Sequence, residues 1–186
     1  MPLQNAQDRY GLVAKLFHWI AALLILDLIV MGVVMGGMPD GAQKVQIFGA
    51  HKMLGMVALV LVLLRLSWRL IGYPAPALPH SVSLRQRRVA RIVQALMYVL
   101  MVAVPVMGVL MSQAAGKDVP FLFSLPVLID RQDEATREML KAFHGACAFT
   151  LIALAIGHAA MGLIHHWVMK DDVLRQMTRY PRSRKA

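Results

Sequence analysis

Four long apolar stretches divide the chain, and polar or proline-rich segments separate them. The stretches cover residues 16–36, 45–71, 91–112 and 143–169. Each contains about 20 residues or more, and at about 1.5 Å of rise per residue an α-helix of this length crosses the hydrocarbon layer of a membrane. The pattern therefore predicts an all-α integral membrane protein, a bundle of four transmembrane helices.

The composition agrees with this prediction and excludes several classes of protein. Of the 186 residues, 58% are hydrophobic and 16% are charged, whereas a soluble domain averages nearer half apolar and a quarter charged. The four spans use about half of the chain, so we predict a single membrane domain over residues 1–186. The single cysteine, Cys147, excludes an intramolecular disulfide, an iron–sulfur cluster held within the chain, and a Cys-x-x-Cys-His haem attachment.

The basic residues lie mostly on one side of the predicted spans. The net charge is +10, from 20 Lys and Arg against 10 Asp and Glu. The N-terminal segment, the link between the second and third spans and the C-terminal tail carry 14 of these cations, and the other side carries six. Because basic residues prefer the cytoplasmic side, both termini are predicted to be cytoplasmic. We interpret the positive charge as orientation bias and attraction to lipid headgroups, and not as a nucleic-acid interface.

Four of the histidines within the predicted spans fall at two depths. His144 and His158 are 14 residues apart on the fourth span, so they share a helix face and lie about 21 Å apart along its axis. The directions of the spans place His18 near the cytoplasmic side with His158, which is called the inner depth. They place His51 near the opposite side with His144, which is called the outer depth. Ionisable side chains inside a membrane are costly and indicate function. The alternative is that each is an interface residue or bonds a neighbouring helix.

Two histidines from two helices at each depth are typical of a haem with an axial imidazole on both faces. Zinc normally takes three or four protein ligands, and each depth offers two histidines without a nearby Cys, Asp or Glu. Because the covalent attachment motif is absent, we predict two non-covalent b-type haems. A small transporter or metal-handling protein that binds zinc or copper is the alternative from another class.

Other polar side chains lie near the predicted haems. Arg65 shares the face of the outer histidine of its span but lies at the inner depth, where it is a candidate partner for haem propionates; a positive-inside anchor is the alternative. Lys52 and Lys141 lie at the outer depth and are candidates to bind propionates or attract an anion. His165, two helical turns after the inner histidine of its span, is a candidate ligand, proton carrier or quinone contact.

Glycines accompany the histidines, and a proline interrupts the third span. Gly49, Gly55, Gly145 and Gly157 lie close to the candidate ligands in sequence. Glycine allows a backbone to approach a flat macrocycle, while close packing between helices is the alternative. Pro105 predicts a kink in the third span.

With these residues in this order, the sequence resembles the bacterial cytochrome b561 family of small di-haem membrane cytochromes, some of which are described as superoxide oxidases. The matching strings follow one another along nearly the whole chain. They are Leu16–Trp19, Ala50–Lys52, Arg65–Leu66, Arg69–Leu70, Val104–Gly108, Phe143–His144, His158–Ala160, His165–Trp167 and Lys170–Asp172. The resemblance implies a four-helix bundle enclosing two b haems in the bacterial inner membrane, with electron transfer coupled to the quinone pool. It assigns the axial positions to His18, His51, His144 and His158.

The leading functional hypothesis is a superoxide oxidase, a superoxide:quinone oxidoreductase. Periplasmic superoxide would be steered by Lys52 and Lys141 to the outer haem, and the electron would pass to the inner haem and to ubiquinone. The alternative is a non-catalytic cytochrome subunit that links quinol to a partner dehydrogenase or hydrogenase. Some relatives carry further histidines near the start of the third span, where this chain has Arg91 and Gln94. No role is assigned to Asp27 or His166.

Overall fold

A computed structural model gives the structure of most of the chain. It describes residues 3–6, 9–71, 75–79, 81–119, 121, 125–129 and 133–178. Within these ranges the regular structure is helical. The helices are α1 (Leu12–Gly37), α2 (Ala42–Ile71), α3 (Leu84–Ala114), α4 (Glu134–Trp167) and α5 (Val173–Thr178). The first four are long and apolar enough to cross a membrane, which confirms the predicted fold class.

Some of the sequence-based predictions concern residues outside this description. Five of the cations used to predict orientation belong to this group. They are Arg131, Arg179, Arg182, Arg184 and Lys185. The cytoplasmic location of the two termini is therefore still a prediction.

Two helices begin well before the apolar stretches that predicted them. α3 begins at Leu84, where the Ser83 hydroxyl accepts the Gln86 backbone N–H and the Gln86 side chain accepts the Ser83 N–H. α4 begins at Glu134, and the Asp133 carboxylate accepts both the hydroxyl and the backbone N–H of Thr136. The bonds from Thr136 lower the pKa of Asp133 below its usual range. Such caps satisfy the first N–H groups of a helix, so both helices extend into polar flanking sequence.

The helices pack in chain order and expose their apolar faces. α1 packs against α2, α2 against α3, and α3 against α4. A small buried cluster joins three of the helices through Val62, Met101 and Leu151. Large apolar side chains such as Leu23 and Ile156 are mostly exposed. A soluble protein rarely exposes so much apolar surface, whereas lipid covers it on a membrane helix.

One end of the bundle is closed by a short helix that the sequence did not predict. α5 follows the end of α4 and lies beside the start of α1, where the Trp19 indole donates to the Met177 carbonyl at 3.2 Å. The buried Gln176 amide donates to the carbonyl of Ala77, in the proline-rich linker, at 3.0 Å. These bonds tie the linker and the C-terminal segment to the same end of the bundle as His18.

At the opposite end, a buried glutamine holds part of the segment between α3 and α4. The Gln113 side chain donates to the Pro126 carbonyl at 2.7 Å and accepts the Leu128 N–H at 3.0 Å. The amide thus pairs with the backbone as a neighbouring strand would. It fixes residues 125–129 against the last turn of α3.

Candidate functional site

The structure brings together both pairs of histidines that the sequence predicted. The ring centroids of His18 on α1 and His158 on α4 lie 6.2 Å apart, with 71° between the ring planes. The centroids of His51 on α2 and His144 on α4 lie 6.5 Å apart, with 70° between the planes. α4 therefore contributes one histidine to each pair, and the two pairs lie at different depths.

The ring separations fit two imidazoles on opposite sides of one metal ion. An imidazole nitrogen binds a metal at about 2 Å, and its ring centre lies roughly 1 Å further away, so opposed ligands have centres about 6 Å apart. Direct edge-to-face ring contacts have similar separations, so the donor set provides a second test. Among the described residues, no group of three or more His, Cys, Asp and Glu is arranged to hold a metal. Two imidazoles alone suit a haem iron better than tetrahedral zinc.

α3 contains no histidine, yet it positions one. The Nδ1 of His144 lies 2.9 Å from the Val104 carbonyl oxygen, to which it donates. A Cβ added at Gly108 would lie 3.4 Å from Cε1 of the same imidazole, which is already van der Waals contact, so a larger side chain there would compete with the ring for space. With its hydrogen on Nδ1, His144 presents Nε2 as the metal-binding nitrogen. Sequence reasoning missed these roles, although Val104–Gly108 was one of the strings carrying the resemblance.

His51 is held differently. Its buried Nδ1 has no hydrogen-bond partner among the described residues. Gly32 on α1 faces its ring, since a Cβ there would lie 3.9 Å from Cε1. Asp27, also on α1, acts on His51 electrostatically. The aspartate that the sequence left unassigned therefore lies toward the outer histidine pair.

A cluster of arginine and tyrosine side chains adjoins the inner pair. Arg65 Nη2 lies 3.1 Å from Nδ1 of His18. The Arg65 and Arg69 guanidinium carbons lie 5.5 and 5.6 Å from the centre of the Tyr98 ring. Burial raises the pKa of the nearby Tyr10 phenol, partly opposed by the two arginines. The inner end of the bundle thus presents two guanidinium groups beside the Tyr98 ring to any acidic group that enters.

The outer cations are arranged differently from the prediction. Lys52 is half-buried and follows His51 directly, and the charge that acts on it is that of Lys117. Lys141 is exposed, and its ammonium lies 3.1 Å from the Glu138 carboxylate. Lys117 therefore reinforces Lys52, while Glu138 offsets part of the Lys141 charge. The sequence counted Lys117 only among the outer cations.

His165 is bonded to an aspartate and not to the inner histidine pair. Its Nδ1 lies 2.6 Å from Oδ2 of Asp171, and both side chains are buried, with 9% and 7% of their surface exposed. His158, seven residues earlier, is the histidine of α4 that faces His18. Of the two candidates for the inner ligand on this helix, the geometry favours His158.

The glycines named from the sequence do not lie at close helix crossings. A Cβ added at Gly49, Gly55, Gly145 or Gly157 would meet no atom of another described part of the chain within 4 Å. Close packing between helices, the alternative explanation for these glycines, therefore lacks support. The backbone beside each candidate ligand is open to a flat group.

Comparison with known proteins identifies the family. A family profile described as prokaryotic cytochrome b561 matches residues 9–180. "Cytochrome b561 homolog 2" of Escherichia coli (strain K12) is 30% identical over 95% of both chains. "Cytochrome b561 homolog 1" of the same organism is 24% identical over 91% of this chain and 97% of its own length. "Probable superoxide oxidase CybB" of Yersinia pestis is 25% identical over 86% of this chain and 90% of its own length.

The profile covers all four membrane helices and both histidine pairs. Membership of the family implies binding of haem b, electron transfer and a multi-pass location in a bacterial membrane. The chain therefore belongs to the prokaryotic cytochrome b561 family.

Proposed function

We propose that this chain oxidises periplasmic superoxide to O2 and reduces ubiquinone, as a di-haem cytochrome of the bacterial inner membrane. The observation that carries the proposal is the presence of two histidine pairs at two depths. When bound, a haem at each pair would accept and release one electron at a time. Two superoxide ions and two protons are consumed for each quinol formed. The Yersinia pestis relative named as a probable superoxide oxidase supports the choice of substrate.

The outer end of the bundle suits an anionic substrate. Lys52 lies beside His51 and is reinforced by Lys117, so positive charge is concentrated next to the outer pair. Charge of one sign in a partly desolvated site raises the local concentration of the opposite ion and its rate of encounter. Lys141 contributes less to this steering because Glu138 pairs with it.

The inner end suits the acidic groups of a haem. In the contact with His18, Arg65 can only donate, so the imidazole hydrogen must lie on Nε2. If His18 binds iron through Nε2, its hydrogen must lie on Nδ1 and would face the Arg65 donor. Arg65 must then turn to another acceptor, and a propionate is the acceptor that a haem supplies. This supports Arg65 as the propionate partner predicted from the sequence.

The proposed direction of electron flow follows from the distribution of charge. The end that carries α5, the linker and Arg65 corresponds to the side with most cations and is assigned to the cytoplasm. The Lys52 end then faces the periplasm. Quinone reduction is assigned to the cytoplasmic end, where His165 is a candidate contact for protons or quinone.

The proposal is tested by measuring the haem content of the purified protein and its reaction with superoxide. We expect two b-type haems per chain, superoxide-dependent haem reduction, and ubiquinol formation. Replacing Lys52 and Lys117 together by Gln should slow haem reduction by superoxide roughly tenfold at low ionic strength and weaken its salt dependence. Lys44→Gln is the matched control, because Lys44 is a cation near the same end that pairs with Asp40 at 2.9 Å.

Different failures contradict different parts of the proposal. A content of one haem per chain contradicts electron transfer between two haems across the membrane. A content of zero in protein expressed with ample haem contradicts the cytochrome mechanism. Two haems without superoxide-dependent reduction, together with a stoichiometric dehydrogenase or hydrogenase that co-purifies, favour the electron-transfer subunit. An unchanged rate and salt dependence in the double lysine variant contradict steering.

A further inference from the structure

A buried and hydrogen-bonded pair of side chains, His165 and Asp171, lies at the α5 end of the bundle, outside both histidine pairs. His165 occupies the last turn of α4, and Asp171 lies in the turn that leads to α5. Their Nδ1 and Oδ2 atoms are 2.6 Å apart, and both side chains are more than nine-tenths buried. A buried carboxylate is costly unless it is paired and hydrogen-bonded. The burial of this histidine and aspartate therefore has to be explained by the bonds that hold them and by what they do.

The turn between the two helices places the carboxylate in one position. The Asp171 backbone N–H donates to the His165 carbonyl at 3.1 Å, and Lys170 takes a left-handed conformation with φ of 55°. Oδ1 of Asp171 accepts the Val173 N–H at 3.1 Å at the start of α5, while Ser81 Oγ lies 3.5 Å from Oδ2. Both carboxylate oxygens are thus occupied. The aspartate cannot turn away from the imidazole without breaking its bond to the Val173 N–H at the start of α5.

This arrangement determines how the imidazole can act. Asp171 accepts the Nδ1 hydrogen of His165, so Nε2 is the nitrogen left to take up or release a proton. The carboxylate also fixes the tautomer and the orientation of the imidazole ring. This geometry suits a proton donor or acceptor at Nε2.

The His165–Asp171 pair, called the dyad below, is close to the end of the proposed electron path. His165 is seven residues after His158, so it lies on nearly the same face of α4 and about 10 Å further along the helix axis. α5, whose first turn Asp171 caps, also bonds to Trp19, the neighbour of His18. The inner histidine pair and the His165–Asp171 pair thus lie near the same end of the bundle, the end assigned to the cytoplasm.

We propose that His165 donates the protons that convert ubiquinone to quinol, and that Asp171 is the residue that positions its imidazole for this transfer. The inference rests on the proposed function, which supplies two electrons for each quinone. In each of two steps an O–H bond forms at a quinone oxygen as the N–H bond at Nε2 of His165 breaks. His165 then takes a replacement proton from water at the cytoplasmic boundary. Asp171 exchanges no proton with the quinone.

The experiment compares Asp171→Asn with Asp172→Asn in the full-length haem-loaded protein. The amide that replaces the Asp171 carboxylate keeps the size of the side chain and can still accept the Val173 N–H, but it lacks the charge facing His165. Asp172 is exposed and pairs with Arg175 at 3.2 Å, so its replacement makes the same chemical change one residue away. Superoxide-dependent haem reduction and ubiquinol formation are measured separately with short-chain ubiquinone, in H2O and in D2O.

We expect Asp171→Asn to lower kcat for ubiquinol formation roughly ten- to a hundredfold, as for loss of a positioned acid or base. The solvent isotope effect on this step should rise, while the KM for quinone and the rate of haem reduction by superoxide stay unchanged. His165→Gln should give the same pattern, and Asp172→Asn should behave as the unmodified protein. A structural role for the pair would alter KM or haem reduction but would not raise the isotope effect.

Two outcomes overturn the inference, and they are separable from failure of the proposed function. If the unmodified protein reduces ubiquinone and Asp171→Asn leaves kcat unchanged, or lowers it without a larger isotope effect, Asp171 does not serve proton transfer. Photoreduced protein supplies electrons without superoxide, and the predicted Asp171→Asn effect in that assay supports the dyad even if superoxide is not the donor. An unmodified protein that reduces no ubiquinone from either source contradicts both proposals.

Discussion

Three of the four paired histidines differ in the group that contacts Nδ1, the ring nitrogen that would point away from a haem. His144 donates its Nδ1 hydrogen to the Val104 carbonyl, whereas Nδ1 of His51 has no partner among the described residues. His18 meets a guanidinium donor at the same atom. A hydrogen-bond acceptor behind a metal-bound imidazole fixes its tautomer and its orientation. His144 is therefore the best oriented of these three histidines before any haem binds.

The orientation of His144 depends on a residue without a side chain, which gives a first prediction. Gly108→Val should displace the imidazole, because even a Cβ there would lie 3.4 Å from its ring. We expect the haem content of the purified protein to fall from two to about one per chain, with loss of the outer haem. Gly36→Val is the matched control, since a Cβ at Gly36 meets nothing within 4 Å. Two haems with an unchanged spectrum in Gly108→Val would show that this glycine does not seat the ligand.

The sequence was enough to predict the histidine pairs, but not the groups on neighbouring helices that hold each imidazole. A spacing of 14 residues fixes the relative face and depth of His144 and His158, so the direction of each span was enough to predict the pairs. The Val104 carbonyl and Gly108 lie 40 and 36 residues before His144 in the chain. Their contact with it depends on which helices are neighbours and how each is rotated. A single sequence contains no direct signal for that rotation.

The ends of the helices are set by caps, not by hydropathy. The apolar stretches predicted spans beginning at residues 91 and 143, but α3 begins at Leu84 and α4 at Glu134. Hydropathy reports the part of a helix that lies in lipid, while polar flanking turns are extended by side chains such as Ser83 and Asp133. α5 was missed because six residues are too few to give a clear periodic pattern.

The cap of α4 gives a prediction about pH. The pKa of Asp133 is lowered in the folded protein by its bonds with Thr136, so its stabilising effect is complete above its unfolded value of roughly 4. As pH falls through the lower, folded value, the carboxylate is protonated and this contribution is lost. We expect the protection factors against hydrogen exchange in the first turn of α4, which are corrected for the intrinsic pH dependence of exchange, to fall over this range. Asp133→Asn should remove this pH-dependent loss of protection, and an identical protection profile in the variant would contradict the role of the carboxylate.

At the scale of the whole molecule, the two ends of the bundle carry different chemistry. The outer end places Lys52 and Lys117 near His51, where an anion would enter. The opposite end holds Arg65 and the buried His165–Asp171 pair, where propionates and protons would be bound. α4 spans the distance between them and contributes to both histidine pairs. This polarity implies that the proposed reaction consumes superoxide on one side of the membrane and protons on the other.

The different chemistry of the two ends predicts that superoxide and protons are consumed on opposite sides of the membrane. In sealed vesicles that contain ubiquinone and expose the Lys52 end outward, superoxide generated outside should raise the internal pH as quinol forms. Two protons should leave the interior for each quinol, because His165, the proposed proton donor, lies at the α5 end and would be reprotonated from water on that side. Vesicles with the opposite orientation should respond only to superoxide generated inside. Proton uptake on the same side as superoxide consumption would contradict the assignment of quinone reduction to the α5 end.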